Sequence, residues 1–251
     1  MNQYISESAE IGKYTKIGFN CIILDDVSIG EGCIIGHNVI IYEGTKIGSN
    51  VRIDDNTIIG KKPMISSRSI FKAEKQLKPA EICDECLIGA NVTIYAQCKL
   101  GIKNLVADLA TIRENVEIGD FNIIGRGVAI ENFIKIGSRN KFETNSYITA
   151  YSEIGDYCFI APAVVTSNDN FMGRDQERFK HFKGVTIKNG GRIGVNATIL
   201  PGKVIHEDGM VAGGSVLTKD VPEEEIWLGN PAKSSGKVPE TQLLKNNRDK
   251  K

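Results

Sequence analysis

The stretch "IGKYTKIGFNCIILDDVSIGEGCIIGHNVIIYEGTKIG", residues 11–48, places an isoleucine at every sixth position: Ile11, Ile17, Ile23, Ile29, Ile35, Ile41 and Ile47. Working outward, the same beat begins at Ile5 and runs to Ile59, ten hexads in all. It resumes at Ile82 and continues to Ile160 for fourteen more, with Leu100, Val106 and Phe142 substituting. A third run from Ile187 to Leu217 adds six. The fifth member of each hexad is small, as in Ala9, Thr15, Cys21, Val27 and Cys33, and glycine often follows the aliphatic residue. A period of six fits neither a helix nor simple strand alternation. It fits a β-solenoid whose short segments each bury one large and one small side chain before the chain turns.

Three segments close a triangle of eighteen residues, so thirty hexads predict about ten triangular coils. At ~4.8 Å per strand the prism stands roughly 50 Å tall. Each coil touches only its neighbours, so residues 1–222 read as one all-β domain, with residues 223–251 forming an extension and a short capping helix. Asn104, Asn122 and Asn140 are fifth-position residues one coil apart. Buried amides need partners, and stacked ones can supply them to each other, which predicts an internal asparagine ladder.

Cys21, Cys33, Cys86, Cys98 and Cys158 fall on the small inward position, where a thiol packs as a compact apolar group. Only Cys83 points outward, so "CDEC" (residues 83–86) divides between two faces, and the pattern predicts neither a disulfide nor a metal site. Lys plus Arg equals Asp plus Glu at 31 each, so no net field favours nucleic acid or a membrane surface. No apolar run approaches the ~20 residues of a spanning helix. "MNQYISESAE" (residues 1–10) lacks a secretory signal's basic flank and apolar core, and a cytoplasmic location is the expectation.

These hexads resemble the hexapeptide-repeat acyltransferases, over about residues 5–233. The resemblance implies a left-handed parallel β-helix; handedness is not given by the period. "GVTIKNGGRIGVNATILPGKVIHEDGMVAGGSVLTKDVPEEEIWLGNPAK" (residues 184–233) is similar to the closing coils of the acetyl-CoA-dependent branch. "ITAYSEIGDYCFIAPAVVTSNDNFMGRDQERFKHFKG" (residues 148–184) is similar to N-acetyltransferases of nucleotide-linked amino sugars, nearest those acting on dTDP-3-amino-3,6-dideoxyhexoses. The resemblance implies homotrimers with active sites between subunits. It also leaves open transfer to UDP-linked amino sugars, longer acyl chains, and a non-catalytic solenoid subunit. Metal-dependent carbonic-anhydrase-like relatives need three converging histidines. No two of His37, His181 and His206 are one coil apart.

The beat fails twice, at residues 65–81 and 166–186. Excursions of this length in a compact domain are usually functional. The first carries basic residues and Phe71, as either a solvated loop or a flap over a diphosphate. The second carries "TSNDN" (residues 166–170), Phe179, His181 and Phe182, and is expected to build a pocket beside an otherwise closed prism.

Outward columns supply the candidate chemistry. Gly89, Ala107, Gly125, Glu143 and Ala161 form one column, a small-residue floor with a single carboxylate, and Glu143 is expected to orient the substrate amine, with Asn168 and Asp169 nearby. His181 is the alternative base. Tyr95, Arg113, Glu131 and Thr149 form a neighbouring column, in which Arg113 and Glu131 are either a surface ion pair or a substrate contact. Asp108 and Arg113 are expected at one corner, where the arginine could hold a phosphate, with Asn145 completing the sugar site. For acetyl-CoA the candidates are Ala161, Gly194 and Ala212 beneath the pantetheine arm, and Lys219 and Lys233 for its phosphates or as plain surface lysines.

Overall fold

The computed structural model describes residues 3–67 and 77–247. Strands of mostly two residues recur every six residues and stack into three sheets of eleven, ten and twelve strands, parallel except for the last pair of the third. These sheets are the faces of a triangular prism. The first face starts at Tyr4–Ile5, the second at Glu10–Ile11 and the third at Lys16–Ile17. Register confirms the eighteen-residue coil: Tyr4 pairs with Ile22, Glu10 with Ser28 and Lys16 with Ile34.

The hexad explains each step of the coil. Its aliphatic residue points inward, and from Ile23 to Leu217 these side chains are almost all fully buried, with Phe142 the largest. The fourth residue sits in the left-handed region, as at Asn20, Asp26, Asn38, Asn50 and Asn56, and turns the chain through the corner. Asn, Asp and Gly adopt that conformation readily. Tyr14, Leu109, Phe121, Phe133, Arg139 and Tyr151 adopt it as well, at a cost of ~1–2 kcal/mol each.

The asparagine ladder forms. Asn122 Nδ2 donates to Asn104 Oδ1 at 3.0 Å, the Asn140 backbone N–H donates to Asn122 Oδ1 at 2.8 Å, and the Cys158 N–H donates to Asn140 Oδ1 at 2.7 Å. All six cysteines are free thiols. Burial pushes Cys98 and Cys158 up to about 12 and Cys86 up to about 11, so these thiols stay protonated.

Two expectations need correction. There are more than ten layers, because the beat extends one step further than the aliphatic pattern shows. Val165–Thr166 is a strand of the first face, and Thr166 is buried at the inward position. The third face also gains an antiparallel hairpin, Glu225–Gly229 with Ala232–Lys237, which pairs onto Met210 and Val211. Beyond it the described residues hold no capping α-helix, only two 3₁₀ turns, Glu240–Gln242 and Leu244–Asn246. Leu243 between them is extended and 1 % exposed, so inserting its side chain interrupts the helix. The turns are tied down where Asp208 accepts the Leu244 N–H at 2.9 Å.

Candidate active site

Both excursions leave the prism at one edge. The strands before them, Ile58–Lys61 and Val165–Thr166, lie on the first face. The strands after them, Glu81–Ile82 and Thr186–Ile187, lie on the second. Between the two excursions this edge consists of four corners: Tyr95–Cys98, Arg113–Val116, Glu131–Ile134 and Thr149–Ser152. Of the first excursion, residues 68–76, and so Phe71, lie outside the described residues.

The corners carry a polar cluster. Arg113 grips Glu114 with two hydrogen bonds, Nε to Oε2 at 2.9 Å and Nη2 to Oε1 at 3.0 Å. Its Nη1 lies 3.6 Å from Glu131 Oε2. Glu114 is 5 % exposed, and a buried carboxylate survives only when paired and hydrogen-bonded. Here the arginine fork and the Asn132 amide, 3.2 Å from Oε1, meet that need. Asn132 is itself buried, and its Oδ1 finds no hydrogen-bond partner among the described residues. Burial lifts the Glu131 carboxyl above its ordinary range; Arg113 opposes the shift and Glu114 adds to it. Burial disfavours the Arg113 charge, but Glu114 and Glu131 outweigh it and raise the guanidinium. Burial raises the Tyr147 phenol, with Glu131 adding to the rise.

Aromatic rings surround the cluster. Arg113 stands 5.0 Å from the Tyr95 ring centroid, and Lys61 Nζ 5.3 Å from it. Phe133 and Tyr151, both at positive φ, stack with centroids 5.4 Å apart and planes within 5°.

The second excursion is folded upon itself. Asp169 accepts the N–H of Phe171 at 2.8 Å and of Gly173 at 3.0 Å, and Arg178 Nη1 at 3.0 Å. Burial opposes the charge on Asp169, yet these donors hold its carboxyl below the usual range. Arg178 also faces the rings of Phe179 and Phe182, and His181 stacks on Phe171 at 5.8 Å. A one-turn helix, Arg178–His181, is the only α-helix among the described residues.

The sequence-predicted residues therefore fall into separate places. Arg113 lies on the edge between the excursions, and Asn168, Asp169 and His181 lie in the second excursion. Glu143 does not share that edge. It follows the third-face strand Lys141–Phe142, in a column with Ala161, Gly194 and Ala212, and its Oε1 lies 2.8 Å from Lys141 Nζ. Because Thr166 is itself an inward strand residue, the excursion starts one corner later than the aliphatic beat implies. Asp108 also belongs to the third–first edge, a strand away from Arg113, and its Oδ1 accepts the Ala90 N–H at 2.9 Å. Asn145 is a corner residue at φ 59. At Gly194 a Cβ would overlap the Gly213 nitrogen, so stacking alone requires this glycine. Lys219 follows the last first-face strand, Val216–Leu217, and Lys233 lies in the C-terminal hairpin opposite Leu228.

Glu114, Asn132 and Lys61 were not picked out by the sequence. Glu114 and Asn132 carried no sequence signal, since acidic and amide residues are common at the third hexad position; the one available departure was aromatics at the fourth position, where Asn and Gly are usual. Among the described residues no group of three His, Cys, Asp or Glu could hold a metal ion, and no helix is long and apolar enough to cross a membrane.

Residues 8–43 match the family "bacterial transferase hexapeptide (six repeats)", and residues 26–61 and 76–96 match "hexapeptide repeat of succinyl-transferase". The dTDP-3-amino-3,6-dideoxy-alpha-D-galactopyranose 3-N-acetyltransferase of Aneurinibacillus thermoaerophilus is 42 % identical over 57 residues, 23 % of this chain and 30 % of that protein. The mitochondrial gamma carbonic anhydrase 2 of Arabidopsis thaliana is 35 % identical over 63 residues, 24 % of this chain and 23 % of that protein. The matched stretches thus span less than a third of either relative. Among solved structures, the UDP-N-acetylglucosamine acyltransferase from Campylobacter jejuni superposes with a TM-score of 0.57 at 19 % identity, covering 99 % of this chain and 77 % of that one. The Arabidopsis UDP-N-acetylglucosamine acyltransferase gives 0.56 at 18 %, covering 98 % and 75 %. At these identities the likeness is one of fold. The eighteen-residue register makes the chain an all-β, left-handed parallel β-helix, and within residues 8–96 its hexads match the two hexapeptide-repeat models.

Proposed function

We propose that the chain is an acetyl-CoA-dependent N-acyltransferase acting on the amino group of a nucleotide-linked sugar, of the dTDP-3-amino-3,6-dideoxyhexose kind. The observation that carries the reading is the half-buried Arg113–Glu114–Glu131 cluster between two excursions that leave the same edge. The Aneurinibacillus relative supports the substrate class. A purely structural solenoid gains nothing from burying a carboxylate, which costs several kcal/mol before pairing.

The reaction needs a neutral amine held against a thioester carbonyl. The amine nitrogen attacks, the C–N bond forms, the C–S bond breaks, and the thiolate leaves and finally takes up the amine's proton. The thiolate of a thiol with an ordinary pKa of ~8.5 is a competent acceptor of that proton. Placement can supply about 7–11 kcal/mol of barrier reduction. Stabilisation of the oxyanion is assigned to backbone N–H donors. The small-residue column of Ala161, Gly194 and Ala212, with Lys219 and Lys233 for the phosphates, is assigned to the acetyl-CoA arm; because the column follows third-face strands, it serves the amine only where a neighbouring copy brings it to the first–second edge.

A homotrimer accounts for the surface. The second face is a ladder of alternating charge, Lys46, Glu81, Lys99, Glu117, Lys135 and Glu153. By contrast the first and third faces expose Ile22, Ile34, Leu87, Ile123, Phe159 and Val165. Covering those apolar faces with neighbouring copies leaves the charged one to solvent. We place the reaction in the cytoplasm.

The test is thiol release from acetyl-CoA against a panel of dTDP- and UDP-linked amino sugars. Release with at least one dTDP-linked 3-amino sugar is expected. No release with any amine, at protein concentrations that sustain the oligomer, would overturn the proposal.

A further inference from the structure

Charge along the edge between the excursions is ordered lengthwise. Reading one coil at a time from the first excursion, the outward residues are Lys61, Tyr95, Arg113, Glu131 and Thr149. Both cations come first and flank the same ring, Lys61 Nζ at 5.3 Å and Arg113 at 5.0 Å from the Tyr95 centroid. The carboxylate comes next, toward the second excursion. Glu114 does not blur this order, because it is buried and occupies only the Nε and Nη2 side of Arg113. The groups facing Glu131 are Arg113 and Glu114 from the coil below and Tyr147 from the first face.

A second, independent observation indicates what the carboxylate end lacks. Asn132 is 1 % exposed, its Nδ2 is committed to Glu114, and its Oδ1 has no donor among the described residues. This corner is rich in acceptors and short of donors. An amine brings two or three N–H groups to such a corner, whereas a hydroxyl brings one.

We infer that this edge reads a dipolar ligand lengthwise, with a diphosphate over Lys61, Tyr95 and Arg113 and an amine at Glu131, beside the second excursion. The identity of the amine rests on the acyl-transfer reading, and the inference adds a direction and named residues to it. The reverse orientation sets phosphate against Glu131 and Glu114 and leaves the ammonium facing Arg113. The thioester then has to approach from the side of the second excursion, where the amine lies.

Three variants separate the ends of the ligand. Thymidine diphosphate alone, titrated calorimetrically, probes the phosphate end. Lys61→Met is expected to weaken its binding by about tenfold and Lys61→Arg to restore it, as for one lost charge-assisted contact. Glu131→Gln is expected to leave that binding within about twofold while lowering kcat with the amino-sugar nucleotide by roughly 100-fold, the scale for misplacing a reacting group. Thermal melts establish that each variant is folded. Unchanged diphosphate binding in Lys61→Met, or unchanged kcat in Glu131→Gln, overturns the inference. A wild-type protein that releases no thiol yet binds thymidine diphosphate in a Lys61-dependent way removes the reaction and supports the phosphate end of the assignment.

Discussion

Asn122 stands one coil above Asn104 and donates both its backbone N–H, at 2.8 Å, and its side-chain Nδ2, at 3.0 Å, to the same Oδ1. The pair shows that residues eighteen apart are vertical neighbours inside the prism as well as on its faces. The amide is not idle at its other end. Asn122 Nδ2 also reaches the Gly137 carbonyl at 3.0 Å, and Asn122 Oδ1 takes the Asn140 N–H.

Asn122→Ala would therefore leave the part-buried Gly137 carbonyl and the buried Asn140 N–H without these partners. The expected loss of stability is about 2–4 kcal/mol, the cost of two stranded polar groups. Urea unfolding monitored by circular dichroism measures it. A loss well under 1 kcal/mol would show that the ladder is not what satisfies these groups.

Glu131 gives a stability signature that is separate from catalysis. Its carboxyl is raised above the ordinary 4.5, chiefly by burial, so just above that pH the folded state holds a proton that the unfolded state has released. Stability linked to this group therefore falls as pH rises through that window. Glu131→Gln, which mimics the protonated form, is expected to be at least as stable as wild type at neutral pH. The difference should disappear below pH 4.5. Paired thermal melts at pH 4 and pH 7 check the sign.

Glu143 is predicted to be nearly silent. Its ion pair with Lys141 is partly exposed, with the lysine 49 % and the glutamate 27 % accessible at the side chain. Such pairs contribute about 0–1 kcal/mol. Glu143→Gln should keep kcat within about threefold, the spread of ordinary surface substitutions. A loss comparable to that of Glu131→Gln would move the amine site to the third–first edge.

The second excursion is expected to loosen independently of the coils. Arg178→Ala removes the bond to Asp169 and the contacts with Phe179 and Phe182 together. Limited proteolysis should cut faster near residues 172–178, while the melting temperature of the β-helix barely moves, because local opening does not require global unfolding. Equal cleavage rates would mean that the excursion is held by something other than this arginine.

Much of the fold was legible because a repeat states its geometry many times over. Each Ile at the sixth place repeats one instruction, and substitutions such as Leu100 or Phe142 do not disturb it. The step at Thr166 was hidden because this residue is polar, and only its bonds to the Thr149 N–H and the Tyr147 carbonyl make it acceptable inside. That one residue changed which edge the excursion leaves. Arg113 and Glu131 were visible as an outward column, but their partner Glu114 was not. A glutamate at a corner is ordinarily solvated, and burial follows only once Asn132 and the arginine fork close over it.

By itself the sequence determined the parallel solenoid, its eighteen-residue register, the inward thiols and the asparagine ladder. All of these follow from a local period that each coil satisfies against its neighbours. Only the tertiary structure decided which edge holds both excursions, and which charges share it. That choice depends on how many corners the chain has turned before it leaves the prism, a cumulative count that one polar inward residue is enough to shift.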